Sequence, residues 1–291
     1  MKYLEYPLFA EGYVNRFLTA GVFTEVQQFD KVKLHGRVNE WLKKGFAIHE
    51  NPCRKEFVRK RQENMPDYLE LDGATDGKSV EVFGQTRPLI PYFPFGNTGV
   101  DGSGFYYCPT WLRMYSYVLL EAERDCDVEF ELETCGGVTI WVDGAFVTDF
   151  TPFTRNMVKK TTVVLPLKAG KNRLLVCLDD LAERDTDYYF RLKRLGDAAL
   201  TMLVPVRDEV EADVIGRLEN MLDQMYFDKE AYISETVKLN ILNPFSCPLP
   251  VTVAVAPGEF IEKMEGQESL VRTFRYELEP DQKVLELFES D

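Results

Sequence analysis

Five carboxylates crowd one stretch of the chain, "LDDLAERDTDYYF" at 178–190. Asp179, Asp180, Glu183, Asp185 and Asp187 lie together there, with Arg184 among them. Three chemistries suit such a cluster. A hard cation takes several oxygen ligands at once, so Asp179, Asp180 and Asp185 are candidate ligands for a structural calcium. Two acids flanking a glycosidic bond would hydrolyse it, which makes 179–187 the place for a catalytic carboxylate pair. The third reading is structural: an inter-strand loop whose Asp side chains cap backbone donors and pair with Arg184. The stretch alone leaves all three open.

A second chemistry is offered by aromatic rings. Tyr92, Phe93, Tyr106, Tyr107 and Trp111 sit in or beside a Gly- and Pro-rich segment, 73–104, that reads as a long loop or lobe over a scaffold. Exposed rings stack on the apolar face of a pyranose, and loops on a rigid frame often gather ligand contacts. These five are therefore the candidate ligand-binding residues. The competing reading has them plugging the edge of a sandwich. Other chemistries lack their residues. His35 and His49 are the only histidines, and no HExxH occurs. There is no G-x-S-x-G elbow, P-loop or dinucleotide fingerprint, and "GVDGSG" (99–104) is a lone Gly-rich loop with no helix behind it.

Charge narrows the partners. The net charge is −14 over 291 residues, and it is uneven: 201–291 carry −11 and 1–200 only −3. An acidic chain repels phosphate backbones, so nucleic acid and anionic membrane are excluded as partners. The basic run 54–61, "RKEFVRKR", is the exception and reads as a solvated loop or helix face. Six cysteines lack C-x-x-C spacing and do not form a disulfide framework in a chain this long. The N-terminus has no continuous apolar core of a signal peptide, and no membrane span is apparent. Reduced thiols and a cytoplasmic location are the expectation.

The elements that must position these groups are mostly strands. Hydrophobic residues make up 45% of the chain and aromatics 13%, enough for a substantial core. "VEFELET" (128–134) alternates. "VTIWV" and "AFVTDF" flank Asp143-Gly144, a strong hairpin signal because a type I′ turn needs positive φ at both central positions. Alternation puts Val138, Ile140 and Val142 on one face and Thr139 and Trp141 on the other. That makes the hairpin a scaffold element, with the second face covered by a loop. In "TTVVLPLKAGKNRLLVCLDD" (161–180), residues 169–172 form a turn between two apolar strands. "WLRMYSYVLLEAE" (111–123) and "DYYFRLKRL" (187–195) are further strands. At 208–226 the period changes to helical, with Asp208 and Glu211 resembling a capping box. Short strands punctuated by Pro follow from about 228.

Residues 127–195 resemble the second half of galactose-binding-like β-sandwich modules. The residues that carry the likeness are "GGVTIWVDGAFV", "LKAGKNRLLV" and "YYFRLKRL". "VNRFLTAGVF" (14–23) resembles the opening strand, with Phe17 where such modules have Trp and Val22 where they have Pro. The resemblance covers about 1–198, apart from a poorly matched insert at 24–105. It implies a mainly β chain: a galactose-binding-like jelly-roll sandwich at 1–198, a linker helix at 199–227, and a small Ig-like β-sandwich at 228–291, cut short at its end. Such modules accompany bacterial glycoside hydrolases and often carry a calcium. The implied role is an accessory, carbohydrate-binding module of a glycoside hydrolase. Its partners would be an oligosaccharide or glycan and a catalytic domain downstream in the same polypeptide. A hydrolase acting through 179–187 and a purely architectural domain are the alternatives.

Overall fold

The computed structural model describes residues 1–28, 52–227, 236–255 and 272–289. They fall into two units, Met1–Asp208 and Glu209–Asp291. The first opens with β1 (Lys2–Leu8) and β2 (Leu18–Val26), followed by helix α1 (Pro52–Glu63). A small hairpin, β3 (Ser79–Val82) and β4 (Gln85–Pro88), leads to the short β5 (Ile90–Pro91) and β6 (Val100–Asp101). Then come β7 (Gly104–Ala122), β8 (Cys126–Thr134), β9 (Gly137–Val142) and β10 (Ala145–Phe150). β11 (Lys159–Leu167), β12 (Gly170–Thr186), β13 (Tyr189–Arg194) and β14 (Leu200–Val206) complete the unit. The chain is mainly β, as its alternating sequence predicts.

Two antiparallel sheets result. The larger runs β1-β14-β7-β12-β9-β10, with β2 also on β7 and β5 on β2. The smaller runs β11-β8-β13-β6. Between them lies an apolar core to which the smaller sheet brings Val128, Phe130, Leu132, Leu165, Phe190 and Leu192, all buried. Phe17 meets Phe190 edge-on at 5.6 Å. Each such side chain contributes about 1.5–3 kcal/mol by leaving water.

Register assigns the two faces of the large sheet. Leu112, Met114, Ser116 and Val118 of β7 lie beside Asp180, Leu178, Val176 and Leu174 of β12, and the last three lie beside Val138, Ile140 and Val142 of β9. The opposite face carries Trp111, Arg113, Tyr115 and Tyr117, with Asp179, Cys177, Leu175, Thr139 and Trp141. Both faces are buried. Trp141 packs on Tyr68 at 6.3 Å, so the second face of β9 is covered, as its alternation requires. The hairpin turn has φ of 50° at Asp143 and 82° at Gly144, the positive pair that a type I′ turn demands. Asp143 also accepts from the backbone N–H of Arg173 at 3.0 Å.

Three local readings change, and one gains a detail. The stretch 178–190 is not a loop: β12 continues to Thr186, because residues 104–110 of β7 extend alongside and supply its backbone partners. The turn near 169–172 joins two apolar strands, as its sequence predicts, and those strands belong to different sheets. It carries the chain from the smaller sheet to the larger one. The buried Asn172 holds that corner, donating to the carbonyls of Leu120, Lys168 and Gly170 and accepting from the Lys168 N–H. Within 73–104 a true hairpin forms, since Phe83 and Gly84 both take positive φ, 52° and 68°. The basic run 54–61 lies in α1, and one side of it is buried.

In the second unit, helix α2 (Ala212–Asp223) is followed by β15 (Tyr226–Phe227), β16 (Thr236–Asn240), β17 (Leu249–Val255), β18 (Arg272–Leu278) and β19 (Val284–Glu289). The sheets are β15-β16-β19 and β17-β18. Met221 of α2 is buried with Leu239, Ile241 and Leu278, and Leu218, Leu222 and Met225 pack on them. The apolar stripe read at helical spacing is thus core. The capping box does not form: Glu211 is the N-cap and makes no side-chain cap bond. Asp208 instead pairs with the terminal ammonium of Met1 at 2.8 Å. His35 and His49 lie outside the described residues.

Candidate functional site

Helix α1 begins at Pro52, where a proline loses no hydrogen bond. Cys53, Arg54, Phe57 and Arg61 fall on one side of it and are buried. On the other side Arg59 pairs with Glu63 at 2.6 Å and Glu56 at 2.7 Å. Phe57 lands edge-on against Trp111 at 5.3 Å and Phe153 at 5.1 Å, beside Leu181. Two arginines flank this contact. Arg54 donates to Asp180 Oδ1 at 2.6 Å and to the Leu181 carbonyl at 2.7 Å. Arg61 donates to both oxygens of Asp149 at 2.8 and 2.6 Å, to Thr139 Oγ1 at 2.7 Å and to Asp179 Oδ2 at 3.2 Å. The basic run is therefore a docking surface and not a solvated face. The reason is the counter-charge that β12 holds beneath it.

Asp179 is the hub. It accepts from Trp111 Nε1 at 3.0 Å, Arg113 Nε at 2.7 Å, Arg113 Nη2 at 3.1 Å and Arg61. Burial works against the Arg113 guanidinium, but the charge and hydrogen bonds of Asp179, together with Cys177 and Tyr115, outweigh it, and the group titrates above its ordinary range. Burial pushes the Asp180 carboxyl up, and Arg54 pulls it part of the way back.

Both carboxylates are wholly buried, so neither can flank a glycosidic bond in a cleft. Alternation along β12 also points them to opposite faces. Asp185 is exposed, five residues further along the strand, or roughly 16 Å at strand rise. The three candidate calcium ligands are thus not brought together. Among the described residues no group of three His, Cys, Asp or Glu side chains is placed to hold a metal ion.

The aromatic candidates also separate. Trp111 and Tyr106 are only 3% and 5% exposed and offer no open ring face. Tyr92 is half-buried, and its hydroxyl accepts from the Asp101 N–H at 3.0 Å. Phe93 is half-buried. Tyr107 is 42% exposed and lies edge-on to Phe105 at 5.8 Å. These five do not make one platform. None of the six cysteines is in a disulfide. Burial pushes the thiols of Cys53 and Cys135 up to about 11, which keeps them protonated and unreactive near neutrality.

A cleft of about 400 Å³ does open beside Trp111. Glu25, Val26, Gln27 and Gln28 line one side, Lys60 and Asn64 another, and Phe83 and Trp111 the floor. Strand pairing explains the first wall: Glu25 lies opposite Trp111, and the Gln27 N–H bonds to the Pro109 carbonyl at 2.8 Å. The side chains are linked in a chain. Gln27 Nε2 donates to Glu25 Oε2 at 2.8 Å, and Lys60 Nζ donates to Gln27 Oε1 at 3.0 Å. Phe83 rides on the β3–β4 turn, which Gln85 ties to Thr24 by donating to its carbonyl at 2.6 Å. Its ring rests on Trp111 at 5.3 Å, with the Arg113 guanidinium 5.4 Å from its centroid.

Apart from Trp111, sequence reading missed this cleft. The one available signal was Arg54, Phe57, Val58 and Arg61 at helical spacing, a stripe with cations at its ends. No local pattern announces Glu25, Gln27 or Phe83 as partners.

No protein-family model matches the chain, and no curated protein matches it. Solved structures with partial likeness include a family 35 carbohydrate-binding module from an environmental isolate, at 16% identity and TM-score 0.24 over 38% of this chain and 79% of that one. A β-glucosidase from Kluyveromyces marxianus in complex with glucose is 12% identical, with TM-score 0.29 over 48% of this chain and 17% of that one. An anti-sigma factor domain-containing protein is 11% identical, with TM-score 0.28 over 68% and 82%. The chain spans under a fifth of the β-glucosidase. At these scores none of the three fixes fold or function.

Proposed function

We propose that the chain is a non-catalytic carbohydrate-binding module, a galactose-binding-like sandwich that works beside a glycoside hydrolase domain of the same polypeptide. The observation that carries this reading is the cleft over Trp111. Its lining is planar amides, one carboxylate, one ammonium, a valine and the half-buried ring of Phe83, beside the buried Trp111. Planar polar groups hydrogen-bond adjacent sugar hydroxyls, and an apolar ring covers the C–H face of the same sugar. The ring with accessible surface is Phe83.

One stacked ring is worth on the order of 1 kcal/mol by analogy with aromatic pairs, so affinity for a single site is about millimolar. A neutral sugar makes that affinity insensitive to salt. Titration by NMR against cello-, xylo- and galacto-oligosaccharides tests the reading. Phe83→Ala and Gln27→Ala lose binding, whereas Tyr107→Ala retains it. Binding that survives both cleft variants moves the site elsewhere. Failure of every glycan to bind leaves an architectural domain.

A further inference from the structure

Four of the cleft residues are tied to one buried carboxylate that never touches the cleft. Asp179 accepts from Trp111, the floor, at 3.0 Å. It accepts from Arg113, whose guanidinium lies against Phe83 and whose Nη2 also donates to the Asn64 carbonyl at 3.2 Å. It pairs with Arg61, the neighbour of Lys60 on α1, at 3.2 Å. The cleft thus draws on a strand, a hairpin turn and a helix that meet electrically at a single side chain.

Among the described residues the apolar hold on α1 is small: Cys53, Phe57 and Val58 pack with Trp111, Phe153 and Leu181. Its sequence is strongly polar, "PCRKEFVRKRQE", and Phe57 is its one fully buried apolar anchor. A twelve-residue helix is marginal on its own in water, so its order comes from docking. That docking rests on the Arg54–Asp180 and Arg61–Asp179–Asp149 pairs. Buried pairs of this kind do little for net stability compared with apolar packing, but they fix geometry, and breaking one partner leaves a stranded charge.

We infer that Asp179 is the positioning residue of the cleft: it assembles the binding surface by docking α1 and orienting Trp111 and Arg113, so cleft assembly and helix docking are one event. This rests on the binding reading above and is separable from it. Linkage makes the coupling reciprocal: a ligand that needs Lys60 and Asn64 in place also holds α1 down.

Hydrogen exchange of the whole chain reads docking without any ligand. Asp179→Asn keeps the shape and removes the charge. The amides of 52–64 then exchange at least about 100-fold faster, the factor a broken buried pair implies. Those of β8, β11 and β13 in the other sheet keep their protection. Arg61→Met is the second variant, for the case that Asp179→Asn does not fold. It leaves Asp179 with Arg113 and Trp111, and it too speeds exchange only in 52–64. Glu25→Gln, outside the helix, is the control, which weakens oligosaccharide binding and leaves exchange in 52–64 unchanged. In the wild type, a bound cello-, xylo- or galacto-oligosaccharide slows exchange in 52–64.

Equal acceleration throughout both sheets makes Asp179 a general stability residue and overturns the inference. So does unchanged exchange in 52–64. Should 52–64 respond as stated while no oligosaccharide binds, the assembly role of Asp179 is supported and the carbohydrate reading falls.

Discussion

Leu112, Met114 and Val118 look one way from β7, and Trp111, Arg113, Tyr115 and Tyr117 look the other. The first set joins Leu174, Val176, Leu178, Val138, Ile140 and Val142 in an aliphatic layer. Burial there is non-directional: hydrophobes of about the right volume suffice. The second face holds Asp179, Thr139 and Asp149, with Arg61 and Arg113 on them, under a polar helix. Each contact on it has an angle and a distance. The difference teaches a division of labour. One face supplies free energy, and the other specifies where a helix, a turn and a tryptophan stand relative to each other. The candidate cleft lies on the specifying side.

The sharpest way to break that contrast is to strip a single charge. Asp179→Leu leaves Arg61 and Arg113 facing a hole, and the stability of 52–64 against local opening falls by about 3–5 kcal/mol. Combining it with Arg61→Met and Arg113→Met removes the stranded charges. The triple variant recovers much of the loss, because a well-packed apolar set often equals a buried ionic one. Hydrogen exchange in 52–64 measures both. If the triple variant is as unstable as the single one, the pairs stabilise the fold in their own right.

On the aliphatic face, Leu178→Ala costs about 2–5 kcal/mol through lost transfer energy and the cavity left behind. It leaves hydrogen exchange in 52–64 no faster than in the rest of the unit. Local acceleration in the helix would merge the two faces into one system.

A smaller effect is expected at the hairpin. Gly144 sits at φ +82°, and Tyr68 lies 3.6 Å from where a Cβ would project. Gly144→Val forces a β-branched residue into left-handed backbone, costing about 1–2 kcal/mol, read as a lower melting temperature.

The smallest effect lies on the other sheet. Burial opposes ionisation of Glu133, but Lys160 and Arg191 outweigh it and hold the carboxyl below its usual 4.5. A depressed folded pKa stabilises the protein above the unfolded value, and that contribution is lost as pH falls through the folded one. The wild type should exceed Glu133→Gln in stability above pH 4.5, and the gap should close on acidification below it. A gap that persists in acid would assign the difference to packing.

Much of this molecule is legible in one dimension. Alternation alone places Val138, Ile140 and Val142 opposite Thr139 and Trp141, and Asp143-Gly144 sets its own turn through its backbone preferences. The helical stripe through Val214, Leu218, Met221 and Met225 likewise needs no partner to be seen. Such features are local, because periodicity and turn chemistry act within a few residues.

The carboxylates of 179–187 show where that ends. Their sequence is equally suited to a cation, a catalytic pair or a capped loop, because a carboxylate's role depends on what faces it. Arg54 stands 126 positions from Asp180 and Arg61 stands 118 from Asp179. Only the tertiary fold sets those charges together, excludes water from them, and leaves Phe83, Gln27 and Lys60 around one cleft. Charge and burial are properties of an environment, and no local pattern along the chain encodes it.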